Sequence, residues 1–438
     1  MELKRLFDYV IILLECDNKM EKEDNKLFLV AFVGVLVGVL IGILLGVNVW
    51  QRKNPGGIIS PLPKCEPCKC SIAASTNELD YYFLQKENFK QNMIYSPLSI
   101  KYALSMLSEG ASGETKAQID KALNNATLTK YADIESHLSL ANALFIKNDY
   151  NYVKDEYINN LQYNYGADIK YDSFNNADNI NSWISSKTFN MLKKVVDDSD
   201  IGPDTVMAIV NALAIDMEWD IQFEKELPNQ VFTLENGEKV NTTFLYNNIS
   251  DFAGENNFKY FKDDDATSID IKLKEYEGTQ LDLMIIMPNG KLDSYISGFN
   301  GSKFEEVNNK LNTIAGNGYE ELNVYIPKFT YDYSLSLQQD LIDLGITDAF
   351  DPTKADFSEM TNAVEGLHVS KAIHKAKVEV SLEGLKAAAA TAFMMDKNSA
   401  MIIERRVDTV RIDKPFMYII KDSNSNEVWF VGTLYNFE

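Results

Sequence analysis

Polar and apolar positions alternate with two different periods along most of this chain, after one unbroken apolar stretch near the start. Leu27 to Val47 is a run of 21 uncharged, mostly apolar residues. At about 1.5 Å per residue a helix of that length spans roughly 32 Å, enough for a bilayer core. Helical spacing recurs later. Ser96 and Pro97 set a cap and a first turn for a helix reaching about Ser108. Glu114 to Asn124, Ala177 to Lys194 and Ser334 to Leu344 are further helices, the last stopped by Gly345. Strand character marks Thr205 to Ile215, whose apolar run predicts burial on both faces. Val231 to Leu234 and Lys239 to Thr243 flank a turn at Glu235 to Glu238, and Ser268 to Lys274 and Leu281 to Met287 flank one at Tyr276 to Thr279. Leu322 to Phe329, His368 to Ser381, Pro415 to Lys421 and Val428 to Leu434 complete the strands. Helices come early and strands late, which predicts an α+β fold with a large sheet.

Residues 51–75 hold Pro55, Gly56, Gly57, Pro61, Pro63 and Pro67, the composition of an extended linker. The expected organisation is a tail at 1–26, a transmembrane helix at 27–50, this linker, and one large domain at 76–438. Basic residues flank the apolar run almost equally, with Lys19, Lys22 and Lys26 before it and Arg52, Lys53 and Lys64 after it. Charge therefore does not orient the helix. Gly34, Gly38, Gly42 and Gly46 recur every four residues, a face on which two membrane helices can approach as a homodimer.

The stretch from Glu379 to Ser399 stands apart. It leaves a strand and becomes a run of small residues, with alanine at every position from Ala387 to Ala390. A small-residue segment tethered to a strand end is itself a strand in waiting.

Charge and chemistry narrow the choices. A formal charge of −22 argues against nucleic acid, which needs clustered Lys and Arg. The three histidines, His137, His368 and His374, belong to no zinc-protease, hydrolase or phosphate-loop motif, so no enzyme and no cofactor are expected. Asp263 to Asp265 reads as a solvated acidic loop. Cys65, Cys68 and Cys70 are one ligand short of a closed zinc site. In an extracytoplasmic linker they suit disulfides, with an odd thiol left for a neighbouring chain.

Several separated motifs occur in one order. They are Asn92 to Ile100 (Asn-Met-Ile-Tyr-Ser-Pro-Leu-Ser-Ile), Gly110 to Ile119, Ser139 to Phe145, Val210 to Trp219 with Phe223, and Ile326 to Phe329. Leu344 to Phe350, Ala355 to Ser358, Asp413 to Ile420 and Phe430 to Gly432 follow. From about residue 76 onward the chain resembles the serpin family. The resemblance implies a large central sheet with additional sheets, about eight or nine helices and an exposed reactive-centre loop. It also implies cleavage of that loop by a target serine or cysteine protease, followed by insertion of the cut loop into the main sheet.

By family register Gly384 lies fifteen residues before the scissile bond, counting inclusively, which places the bond at Asn398–Ser399. Lys397 is the neighbouring candidate, and a long stretch before Pro415 keeps Met401 and Arg405 open. The hinge is Glu383, Gly384, Leu385, Lys386, Ala387, Ala388, Ala389, Ala390 and Thr391. Ser96, Ser99, Asn211 and His374 match the family's hydrogen-bonded cluster beneath the sheet opening, and Trp219 matches the site near the insertion point. Two residues depart from the pattern. Leu382 replaces an acid, and Leu385 replaces Thr or Ser, with a bulk expected to slow the first insertion step.

An inserted strand alternates its side chains between two faces. Leu385, Ala387, Ala389, Thr391, Phe393 and Met395 share one face and carry no charge, so that face can be buried. Lys386, Ala388, Ala390, Ala392, Met394 and Asp396 share the other, expected to meet solvent. About twelve inserted residues cover roughly 40 Å at about 3.3 Å each. A protease still joined by its acyl bond would be dragged that far and would lose the aligned base and oxyanion hole that deacylation requires. The expectation is a membrane-anchored, extracytoplasmic suicide inhibitor. The alternative, motivated by Leu382 and Leu385, is the same fold used as a non-inhibitory binding or scaffold module.

Overall fold

The computed structural model describes residues 78–124, 128–250, 258–313, 321–363, 366–385 and 407–437. The tail, the apolar run with its glycine face, the cysteine-bearing linker and the loop from Lys386 to Arg406 lie outside the described residues. Among the described residues no helix is long and apolar enough to cross a membrane.

Eight α-helices are described: α1 (Leu79–Lys86), α2 (Pro97–Glu109), α3 (Gly113–Leu123), α4 (Asp155–Tyr165), α5 (Asp178–Lys187), α6 (Leu292–Ser297), α7 (Gly301–Thr313) and α8 (Gln338–Asp343). The strands are β1 (Met93–Tyr95), β2 (Leu138–Lys147), β3 (Asp168–Asp172), β4 (Met207–Ile215), β5 (Met217–Glu218), β6 (Lys225–Thr233), β7 (Lys239–Ser250), β8 (Phe258–Lys262) and β9 (Ala266–Lys272). Then come β10 (Leu281–Pro288), β11 (Glu321–Pro327), β12 (Phe329–Ser336), β13 (Ile373–Val380), β14 (Gly384–Leu385), β15 (Val407–Arg411), β16 (Phe416–Asp422) and β17 (Val428–Leu434).

These strands form a six-stranded sheet β1-β17-β16-β10-β9-β8 and a four-stranded sheet β15-β11-β7-β6. Two further sheets face each other across a gap. One runs β3-β2-β4 and the other β12-β13-β14-β5. One main core cluster lies on one side of these two sheets. Leu213 and Ile215 of β4, Ala376, Val378 and Val380 of β13, and Leu98 of α2 all belong to it. On the opposite side α5 packs Ile180, Trp183 and Ile184 onto Ala141, Ala143 and Ala212. Alanines on β2 and β4 give the helix room to approach the backbone.

Four sequence expectations are corrected. The helix expected over Ala177 to Lys194 ends at Lys187. Thr188 turns its Oγ1 back to the Ile184 carbonyl at 2.8 Å, and Phe189 and Asn190 adopt left-handed backbone. The helix expected from Ser334 begins only at Gln338, because Tyr331 to Ser336 continue β12 and pair with β13. The strand from His368 begins at Ile373. The strand expected to be buried on both faces is fully covered only from Ala212 to Ile215. Its first half lines an open slot.

Candidate functional site

The site is built on β13 and the turn that follows it. Alternate residues of β13, His374, Ala376, Val378 and Val380, are buried. The chain then turns through Ser381, Leu382 and Glu383. The Ser381 amide donates to the Gly384 carbonyl at 3.0 Å, and its hydroxyl donates to the same oxygen at 3.1 Å and to Glu383 Oε2 at 3.2 Å. Trp219, 1% exposed, clamps this turn twice. Its backbone amide donates to the Glu383 carbonyl at 3.0 Å and its indole Nε1 to the Ser381 carbonyl at 2.9 Å. Leu382 packs against the main core cluster.

β14 then enters between two strands and pairs antiparallel with both. Leu385 faces Val380 of β13 on one side and Met217 of β5 on the other, and Gly384 faces Glu218. Leu385 is buried, in the same cluster as Val378 and Val380. The bulk of Leu385 is therefore accommodated in this state. Beside Gly384, Glu218 pairs with Lys274 at 3.1 Å.

Beyond β14 the sheet is open. Among the described residues β4 and β13 make no pairing with each other, and a cavity of about 300 Å³ lies between them. Residues 207–213 form one wall and residues 367–375 the other. Ser96, the cap of α2, and Ser99 and Ile100 of that helix line it from below, and Ile180 and Ile184 of α5 from above. Helix α5 thus covers part of the slot on that side. Beside Leu385, Thr188, Met191 and Leu192 continue the cover beyond the end of α5.

Four residues expected to cooperate are brought together under the slot. Ser96 caps α2, its Oγ accepting from the Ser99 amide at 3.0 Å. The Ser96 amide donates to His374 Nε2 at 2.9 Å. Ser99 Oγ bonds to Asn211 Oδ1, and Asn211 Nδ2 donates to Asn142 Oδ1 at 2.8 Å. Helix α2, β4 and β13 are thereby joined across the opening. Burial pushes the His374 imidazole down to about 4, because a charged ring would lose its hydration there. As Nε2 accepts a bond, the neutral ring carries its proton on Nδ1. The cluster's hydrogen bonds join α2 to β4 and β13, and the basic nitrogen of His374 already accepts from the Ser96 amide.

Sequence reasoning missed Asn142 and Ser381. Asn142 carries a signal, an amide within the otherwise apolar strand β2. Its Nδ2 donates to the Tyr165 carbonyl at 2.9 Å, extending the network to the end of α4. Ser381 carries none, since its role depends on the close return of Gly384.

The sequence matches the family described as Serpin (serine protease inhibitor) over residues 80–437. An uncharacterized serpin-like protein of Methanosarcina mazei is 28% identical over 363 residues, spanning 78% of this chain and 80% of its own. The human leukocyte elastase inhibitor is 29% identical over 385 residues, spanning 83% of this chain and 98% of its own. Among solved structures, the thermophilic serpin tengpin in its native state superimposes with a TM-score of 0.70 at 26% identity. It covers 87% of this chain and 98% of its own. The chain belongs to the serpin family.

Proposed function

We propose that this serpin inhibits a serine or cysteine protease by offering its loop for cleavage, inserting the cut segment into the slot and holding the acyl-enzyme in a distorted state. The observation that carries this reading is the pair Gly384–Leu385 seated between β13 and β5, above an open slot. A segment continuing in that register has walls on both sides. Residues 387 and 389 would come opposite Val378 and Ala376, and residue 391 opposite His374. All three facing residues are buried.

The same register bears on the cut. Thirteen residues beyond Leu385 is Asn398, and thirteen before Val380 is Leu367, at the far end of the cavity lining. The slot thus suits a segment ending at Asn398 and supports Asn398–Ser399 as the scissile bond, with Lys397 beside it. An asparagine-accepting protease is the partner that follows; cleavage at Lys397 would instead mark a trypsin-like one.

The apolar run at 27–50 supports a single-pass anchor with the inhibitory domain on the extracytoplasmic side, where proteases of this kind are met. Gly34, Gly38, Gly42 and Gly46 support pairing of two such anchors, and Cys65, Cys68 and Cys70 support linker disulfides. Incubation of the full chain with a protease panel tests the reading. A covalent, denaturant-resistant complex is expected, with cleavage mapped by mass spectrometry. Simple cleavage with full recovery of protease activity would favour the non-inhibitory binding module.

A further inference from the structure

The cover over the slot continues past α5. Residues 188–206 return from that helix to β4, and Leu192, Val195, Val196 and Ile201 of this return line the slot as well. The return is bound to α5 as one unit. Asn181 Oδ1 accepts from the amides of Val195 and Val196 at 2.9 and 3.0 Å, and its Nδ2 donates to the Val196 carbonyl at 2.8 Å. Asp198 Oδ1 accepts from the Ala177 amide at 3.0 Å. The helix itself packs on Ala141 and Ala143 of β2 and Ala212 of β4. One wall of the slot therefore carries the whole cover.

Away from the hinge the cover reaches the other wall. Val380 of β13 faces Leu385, and Lys371 precedes the start of β13 at the opposite end of that strand. Its Nζ lies 2.9 Å from Asp200 Oδ1, and both residues line the slot. Asp200 Oδ2 accepts from the Asp197 amide at 2.9 Å, which holds the carboxylate in place for the cation. We propose that the Lys371–Asp200 ion pair is a strap that holds the cover down on the β13 wall and slows the filling of the slot. The inference rests on the trap reading above and adds to it a control on its speed.

A strand entering between β4 and β13 turns alternate side chains toward α5. The cover must shift to admit them, and that shift pulls the pair apart. The Asp200 side chain is 16% exposed, so water screens the attraction less than at an open surface. Lys371 is half exposed, so the pair adds little to the stability of the resting fold. The nearby Asp197 carboxylate is taken by Lys194 at 2.6 Å.

The test nicks the loop of the full-length chain with a metalloprotease, which forms no acyl bond, and follows filling of the slot by tryptophan emission and by the Tm of the product. Wild type is expected to fill faster as salt is added, because salt screens the strap. Asp200→Asn, which keeps an acceptor for the Asp197 amide, and Lys371→Gln should each fill about three-fold faster, with the urea midpoint of the uncut chain nearly unchanged. Lys371→Glu should fill faster still. Adding Asp200→Lys to Lys371→Glu should restore much of the slow rate, which a merely structural role would not do. Single variants that fill at the wild-type rate, or a double variant no slower than Lys371→Glu, overturn the strap while leaving the trap intact. A wild-type chain whose Tm does not rise after nicking overturns the trap and the strap with it.

Discussion

A Cβ placed on Gly384 would stand 2.2 Å from the carbonyl oxygen of Met217. No real side chain tolerates that approach, and backbone atoms of Glu218 crowd the same point at 2.7 Å. The hinge can thread between β13 and β5 only because this residue has no side chain. Glycine here answers a close approach, since its φ is not in the left-handed region.

Gly384→Val should therefore push β14 out of the sheet. The overpacking cost is about 1–3 kcal/mol or more. Leu385 would become accessible, so the variant should be nicked faster near the hinge and should inhibit with a higher stoichiometry. Limited proteolysis and titration against the target protease check this. Unchanged nicking would mean that β14 is not seated in solution.

Ala387→Arg should convert inhibitor into substrate. In the register of β14 the residue comes opposite Val378 and Ile215, both buried in the main core cluster. An unpaired charge there is strongly disfavoured. Gel analysis of protease mixtures should show cleaved chain without a covalent complex. Undiminished complex formation would contradict the assignment of faces.

Trp219→Phe keeps an aromatic ring beside Phe223 but removes the indole N–H bonded to the Ser381 carbonyl. Leaving that buried carbonyl without its donor costs about 1–3 kcal/mol. The urea midpoint should fall accordingly, with nicking near the hinge accelerated. A midpoint equal to that of wild type would show that the clamp on the turn is not needed.

Much of this arrangement was legible in the sequence where it depends on local chemistry. Ser96-Pro97 announces the start of α2. His374 stands out as a polar residue within an alternating strand. What was not legible depends on contacts between distant segments. The split of the sheet is set by which strands meet across more than a hundred residues, as Met217 does with Leu385. The early end of α5 follows from Thr188 bonding back to Ile184, a choice that propensity alone does not reveal. The roof that α5 places over the slot also changes the meaning of alternation. Ile180 and Ile184 line the slot on the side that alternation alone leaves to solvent.

Acid should weaken the cluster beneath the slot. The folded pKa of His374 is depressed to about 4 from an ordinary 6.5, so the unfolded chain binds this proton more readily. Its contribution is complete above about pH 6.5 and is lost as pH falls toward 4, a change of up to about 3 kcal/mol. Asp270 and Glu427, pushed upward by burial, act in the opposite sense over the acid range. The measurement is therefore a difference in unfolding free energy between wild type and His374→Gln at pH 7 and pH 4.5. The wild type should lose more; equal losses would show that His374 titrates normally in the fold.

Thermal unfolding of the full-length chain before and after a single cut in the loop after Met395 tests the central claim most directly. If the freed segment fills the slot between β4 and β13, the cut chain should melt at least about 10 °C higher, because the buried apolar side chains contribute several kcal/mol. A cut chain that melts at the same temperature as the intact one, or lower, would contradict insertion and with it the trap.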